Sequence, residues 1–198
     1  MNRVLEMWKE IGQESLNLPN LLTVTRILLI PVFVILFATP TPDRSLMAAI
    51  VFVVEALTDL LDGYLARKSG QVTTLGKLLD PIADKLLVLS ALILLLNVDR
   101  VSALVAILII AREVAVTGVR AMAAGEGIII SAETTGKYKM ALQVVAIVML
   151  ILEGTVLSEF GNLHLAGSVT LYLSLLLGYV SGGRYVWSFW NQLVAKGL

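Results

Sequence analysis

The sequence has no cysteine and a single histidine, His164. Without cysteine there are no disulfides, zinc–thiolate sites or iron–sulfur clusters. Charge is also scarce: 15% of the 198 residues are charged, against about 25% in an ordinary soluble domain. Fifteen basic residues balance fifteen acidic ones, so no global field argues for nucleic acid or another polyanionic partner. What fills the chain instead is apolar: 58% belongs to the AVILMFWYC set and the mean hydropathy is +0.88. Such a chain cannot cover itself with a polar surface. That excludes a soluble globular enzyme and a disordered region, and predicts an integral membrane protein forming one domain over residues 1–198.

A bilayer core about 30 Å thick needs roughly 20 mostly apolar helical residues. Six segments meet this, at 20–38, 45–66, 76–97, 101–123, 136–154 and 164–190. Runs such as Leu92 to Leu96 have no period of two, so a β-barrel is excluded. Helices remain, and the expected fold is all-α with six transmembrane helices. An even number of spans puts both termini on one side. That side holds Arg3, Lys9, Arg67, Lys68, Lys77, Arg120, Lys137, Lys139 and Lys196, whereas the other keeps Arg44 and Arg100 beside Asp43, Asp99, Glu153 and Glu159. The positive-inside asymmetry makes the first side cytoplasmic. Asn2 to Glu14, within a 1–16 N-terminal segment, mixes Leu5, Met7, Trp8 and Ile11 with charges and reads as an interfacial amphipathic helix, with a frayed polar tail as the plain alternative. A signal-peptide reading of residues 1–38 fails on Arg26, which abuts the apolar run, and on Pro40 and Pro42 where a cleavage site belongs. Tyr185, Trp187 and Trp190 suit an interfacial aromatic belt, and His164 the outer boundary. Gly182-Gly183-Arg184 allows close packing and has no functional reading.

The informative residues are carboxylates inside apolar spans. An Asp at the centre of a membrane helix costs about 2.5–3.5 kcal/mol on insertion scales. Asp59 and Asp62 nevertheless close span two, and Asp80 and Asp84 open span three. At 100° per residue, Asp59, Asp62, Gly63 and Ala66 share one face and Gly76, Asp80 and Asp84 another. Consecutive antiparallel spans bring these faces together just inside the membrane. Four carboxylates in one place must protonate, pair with cations or bind metal. Hard oxygen ligands suit magnesium, manganese or calcium rather than zinc. Small Gly63, Ala66 and Gly76 leave room for a bulky ligand, and Arg67 lies placed to grip phosphate. Salt bridges to Arg67, Lys77 and Lys85, with small residues serving only helix packing, explain any one of these residues but not the set.

Residues 59–84 read D-x2-D-G-x2-A-R-x8-G-x3-D-x3-D, and this spacing is similar to the signature of the CDP-alcohol phosphotransferases, membrane enzymes of phospholipid synthesis. Asn17 to Arg26, Leu79 to Lys85, Arg112-Glu113 and Gly136 to Lys139 resemble the bacterial branch that makes phosphatidylglycerol phosphate. The resemblance, over residues 17–185, implies a six-helix homodimer in the bacterial inner membrane with its active site open to the cytoplasm. It implies CDP-diacylglycerol as donor, glycerol 3-phosphate as acceptor and two divalent cations, Mg2+ or Mn2+, as cofactors. Carried onto this chain, Asp59, Asp62, Asp80 and Asp84 hold metal and Asp84 is also the general base. Asp62, Gly63, Ala66, Arg67, Thr73, Gly76 and Asp80 frame the CDP group.

A phosphorylated acceptor needs its own cations. Arg26, Arg112, Arg120, Lys137 and Lys139 are the candidates, and Arg112 stands out by its depth, just past Ile109-Ile110. Arg120 and Lys139 have an alternative reading as positive-inside markers. Glu113 is placed to pair with an arginine. Asn20 and Thr23 offer polar contacts, Asn20 with an alternative as a helix cap. Within the family, inositol phosphate, phosphatidylglycerol and serine are competing acceptors, serine being disfavoured by the basic set. A cation-coupled transporter is the reading from another class, and no internal repeat supports it.

Overall fold

The computed structural model describes residues 18–69, 74–128, 134–157 and 161–195, and the side chains at 18–24, 59–69, 74–82, 84 and 134 lie outside the described residues. Six helices and no strand are found among the described residues: α1 (Leu18–Phe37), α2 (Pro42–Ser69), α3 (Thr74–Asn97), α4 (Ala103–Gly125), α5 (Thr134–Ile151) and α6 (Leu163–Ala195). The all-helical expectation holds, and each helix coincides with one of the six apolar segments. Among the described residues, α6 alone is long and apolar enough to cross a membrane by length and composition, with shorter apolar helices at Thr25–Phe37 and Lys85–Asn97. The expected interfacial helix at Asn2 to Glu14 lies outside the described residues.

The chain divides into two compact units, residues 1–94 and 95–198. In the first, α1 packs on α2 around Phe33, Phe37 and Phe52, all fully buried. Phe33 and Phe37 stack with ring centroids 6.1 Å apart, and Phe52 tilts against Phe33 at 5.7 Å. The turn between these helices is built by its own sequence. Thr41 caps α2 by accepting from the Arg44 N–H at 3.3 Å, Pro42 occupies the first turn, and Asp43 sits at the positive end of the helix. The Arg44 guanidinium reaches back to Thr39 and to the Ile35 carbonyl of α1.

The second unit is organised by α6. Gly167, Leu171, Ser174, Gly178, Ser181 and Gly182 recur at helical spacing and form its buried stripe. α5 lies along this stripe with Ala146, Ile147, Leu150 and Ile151 fully buried, and α4 packs on it as well. α3 ends before Arg100 in a Schellman motif, with Asp99 at φ 57° donating to the Leu96 carbonyl and Arg100 to the Leu95 carbonyl. α4 ends the same way at Gly127, φ 64°. Arg100 then satisfies the terminal Leu150 and Ile151 carbonyls of α5, both at 3.0 Å, and pairs with Glu153, which also meets His164 at 2.9 Å. Burial lowers the Arg100 pKa from its ordinary value and Glu153 opposes that shift. The two arginines expected on the outer side thus both serve as donors to helix C-termini, which fits a region with few cations to spare.

One close approach is testable. A Cβ at Gly167 would stand 2.8 Å from Leu150 Cγ and 3.2 Å from the Ala146 carbonyl, whereas Gly183 has open space around it. Gly167→Ala is expected to destabilise the protein by about 1–3 kcal/mol through overpacking. Gly183→Ala is expected to be neutral or stabilising by up to about 1 kcal/mol through helix propensity. Thermal unfolding of both variants in detergent measures the difference in sign.

Candidate functional site

The aspartate motif falls on two helices. Asp59, Asp62, Gly63, Ala66 and Arg67 lie on the last turns of α2, and Gly76, Asp80 and Asp84 on the first turns of α3, joined by residues 70–73. Helical geometry over both segments keeps Asp59 with Asp62, and Asp80 with Asp84, on common faces, three and four residues apart. The side chains of the motif, and Thr73 as a whole, lie outside the described residues, as do the side chains of Asn20 and Thr23. No group of three metal-ligating side chains occurs among the described residues. Two in-register carboxylate pairs, with no sulfur or imidazole, are the donor set a hard divalent cation takes, so these residues fit magnesium or manganese.

One turn before Asp59 on α2 stands Glu55, which the motif does not contain. Its side chain is 1% exposed, and neither carboxylate oxygen has a hydrogen-bond partner among the described residues. The charge acting on it is the guanidinium of Arg26 from α1, itself 2% exposed. Arg26 is therefore a buried cation of the first unit whose charge is felt at Glu55. The signal was there to read: a lone acid inside the apolar stretch from Ala48 to Leu57, four residues before Asp59.

The cationic candidates separate into groups. Arg112, near the middle of α4, uses all three of its nitrogens. Nε donates to the Gly178 carbonyl at 2.9 Å, Nη2 to Ser181 Oγ at 2.8 Å and Nη1 to Glu113 Oε1 at 3.0 Å. Lys139 on α5 pairs with the same Glu113 oxygen. A guanidinium carries five N–H groups, so two on Arg112 remain for a ligand. The cluster is mostly buried, and in it Arg112 and Lys139 share one Glu113 oxygen in a place of low dielectric. Small residues make this possible. A Cβ at Gly178 or Gly182 would come within 3.5 Å of Arg112 Nε, and one at Gly182 within 3.1 Å of Val116 Cγ2. Gly182 thus acquires the purpose that the sequence left open: it admits the Arg112 side chain to the backbone of α6.

Arg120 and Lys137 do not join this cluster. The Arg120 guanidinium stands 5.7 Å over the Tyr185 ring, and Lys137 is exposed and makes no ion pair among the described residues. Of the five expected acceptor cations, the structure brings Arg112 and Lys139 together. A buried amide, Gln143, was missed entirely; it is uncharged, and a single amide in an apolar run gives no pattern.

Breaking the cluster has a stated cost. Arg112→Ala leaves Glu113 with Lys139 alone and takes from Gly178 and Ser181 the donor that ties α4 to α6, and removal of one partner of a buried pair costs about 3–5 kcal/mol. Arg112→Lys keeps the charge but cannot serve both Gly178 and Ser181, and is expected to lose about 1–3 kcal/mol. Thermal unfolding followed by the fluorescence of Trp187 and Trp190 on α6 tests the ranking.

Comparison with known proteins adds the family. A family model described as CDP-alcohol phosphatidyltransferase matches residues 16–180. The chain is 40% identical over 189 residues to the CDP-diacylglycerol–glycerol-3-phosphate 3-phosphatidyltransferase of Bacillus subtilis (strain 168), covering 89% of this chain and 97% of that relative. The protein of the same name from Rickettsia bellii (strain RML369-C) is 40% identical over 169 residues, 85% of this chain and 93% of the relative. The one from Haemophilus influenzae is 35% identical over 187 residues, 91% and 94% of the two chains. With the motif intact on two helices and the match running from residue 16 to 180, the chain belongs to the CDP-alcohol phosphatidyltransferase family.

Proposed function

We propose that this chain transfers the phosphatidyl group of CDP-diacylglycerol to the 1-hydroxyl of sn-glycerol 3-phosphate, giving phosphatidylglycerol phosphate and CMP. The observation that carries the reaction class is the placement of Asp59 with Asp62 on the last turns of α2 and of Asp80 with Asp84 on the first turns of α3, at helical spacing. The acceptor reading rests on the names of the relatives and on the buried Arg112–Lys139 cluster, in which Arg112 keeps two unused N–H groups. On this reading the chain has six spans in the bacterial inner membrane, with the motif on the cytoplasmic side and a second copy as partner. Large apolar side chains such as Leu28, Ile107, Leu165 and Trp187, each at least 60% exposed, support a lipid environment.

Asp59, Asp62, Asp80 and Asp84 would hold two divalent cations. When bound, these neutralise the pyrophosphate and ease the departure of CMP. The remaining work falls to the protein. Gly63, Ala66 and Gly76 leave room for the CDP group against bare backbone, and Arg67 grips its phosphate, with Thr73 beside them. Arg112 and Lys139 anchor the acceptor phosphate, with Arg26, Arg120 and Lys137 adding positive charge and Asn20 and Thr23 polar contacts. Asp84 accepts the proton as the acceptor 1-hydroxyl attacks the β-phosphorus. The new P–O ester forms as the bond to CMP breaks.

Two experiments test this reading. EDTA should abolish CMP release until Mg2+ or Mn2+ is restored, and Ala at Asp59, Asp62 or Asp80 should remove nearly all turnover. Asp84→Asn should spare donor binding and lose catalysis. Full activity of metal-stripped protein would refute the ligand assignment. The second experiment separates the pockets through KM, which does not depend on the folded fraction. Arg112→Ala should raise the KM for glycerol 3-phosphate roughly 10- to 150-fold with little change for CDP-diacylglycerol, and Arg67→Ala should do the reverse. A donor-only effect of Arg112→Ala would remove the support for a phosphorylated acceptor.

A further inference from the structure

A cavity of about 370 Å³ lies within the second unit, where α4 and α6 begin. Its polar wall comes from Asp99, Arg100 and Ser102 ahead of α4, and from His164 and Ser168 on α6. The two helices run parallel, because their contacts climb together. Val105 and Leu171 line the same cavity, Arg112 reaches Gly178 and Ser181, and Arg120 stands over Tyr185. The cavity is thus roughly 10–15 Å along α4 from Arg112. Neither the aspartate motif nor the Arg112 cluster lines it, and nothing in the scheme above uses it.

Two polar groups of its wall are unmatched. The Ser168 hydroxyl makes no hydrogen bond among the described residues, whereas Thr170, Ser174 and Ser181 each donate to a carbonyl of their own helix. The Asp99 carboxylate makes no ion pair among the described residues, although Arg100 follows it directly. Arg100 turns instead to Glu153 and the last carbonyls of α5, and His164 turns to Glu153. The wall therefore offers both signs: a guanidinium and an imidazole on one hand, an unpaired carboxylate on the other. A ligand that matches it carries an anionic and a cationic group a few bonds apart.

The rest of the wall is apolar. Val105 and Leu171 are buried, whereas Tyr172 reaches the surface. Tyr172, Leu176 and Tyr179 follow at helical spacing on α6, each at least 44% exposed, and the Tyr179 hydroxyl donates to the Leu108 carbonyl of α4. An apolar strip thus runs from the cavity along the seam of α4 and α6, where an acyl chain fits. The volume lies at the lower end of the roughly 300–1,000 Å³ of small-molecule sites, which is room for a headgroup rather than a whole lipid.

We propose that this cavity binds a phospholipid with a zwitterionic headgroup. The phosphate lies toward Arg100, His164 and Ser168, and the ammonium toward Asp99. The acyl chains follow Tyr172, Leu176 and Tyr179. This inference rests on the membrane reading above and is independent of the acceptor.

The test uses full-length protein in detergent, stripped of lipid, with dihexanoyl phosphatidylethanolamine as the probe. Dihexanoyl phosphatidylglycerol and inorganic phosphate are the comparison ligands. Unfolding temperature against ligand concentration gives each affinity. Wild-type protein should bind the ethanolamine lipid saturably and about 3- to 10-fold more tightly than the glycerol lipid, with phosphate having no effect at equal concentration. Asp99→Asn removes the charge but keeps the turn at φ 57°, which asparagine tolerates. It should erase the preference by weakening the ethanolamine lipid alone. Ser168→Leu fills the cavity and should abolish saturable stabilisation by both lipids; where it fails to fold, Asp99→Asn decides. Equal wild-type affinity for the two lipids, or unchanged affinity for the ethanolamine lipid in either folded variant, overturns the inference. Stabilisation by inorganic phosphate as strong as by the lipid marks a free-anion site and overturns it too. Selective lipid binding by protein that releases no CMP supports this inference while refuting the catalytic reading.

Discussion

The second unit depends on one guanidinium. Arg112 joins α4 to α6 through Gly178 and Ser181 and, through Glu113, reaches Lys139 on α5. Helices surrounded by lipid gain little from burying leucine against leucine, because the tails are equally apolar. Hydrogen bonds and close backbone approach must then supply specificity. Here they converge at one level of α6, where the glycines at 178 and 182 let a charged side chain lie against a carbonyl. The same interaction that fixes helix register leaves two N–H groups of Arg112 unused, so the side chain that holds the helices is also the one proposed to bind.

Polarity in this chain is arranged in depth. In the first unit, Glu55 is buried one turn from Asp59, with the charge of the buried Arg26 acting on it. In the second, Gln143 lies one turn from Lys139. In each unit a charged group assigned to chemistry is backed, one helical turn further along, by a buried polar group that the motif does not name. Buried polar groups are expensive in such surroundings, and their placement next to the proposed site residues is what a preorganised site would require.

The helices were legible in the sequence because their apolar runs are long and their punctuation is plain. Boundaries shifted for local reasons. α2 extends from Pro42 to Ser69, beyond the apolar 45–66, because a helix continues past the part that must be apolar. α5 stops at Ile151 rather than 154, because Gly154 turns with φ 77° and Arg100 takes the last carbonyls. The aspartate motif was legible as a spacing. Arg112 was legible because a cation that deep demands a purpose, although its partners, 66 and 69 residues away, were not. Gly182 looked like packing alone, and nothing in its neighbours names the side chain it admits. Glu55 and Gln143 were overlooked because an isolated polar residue in an apolar run forms no pattern until its surroundings are known.

The distance along the chain between Arg112 and its partners has a consequence for how the protein is made. The Gly178 carbonyl is 66 residues downstream. At synthesis rates of about 5–20 residues per second, α4 precedes that partner by roughly 3–13 s. During that interval the guanidinium has to exist without the hydrogen-bond partners that α6 supplies. Glu113 is its covalent neighbour and is present from the first moment. An acid that also pairs with Lys139 in the folded protein is thus beside the arginine from the moment it is made. The order in which the chain emerges, acid with base first and the receiving helix last, is written into the same three residues that hold the finished bundle together.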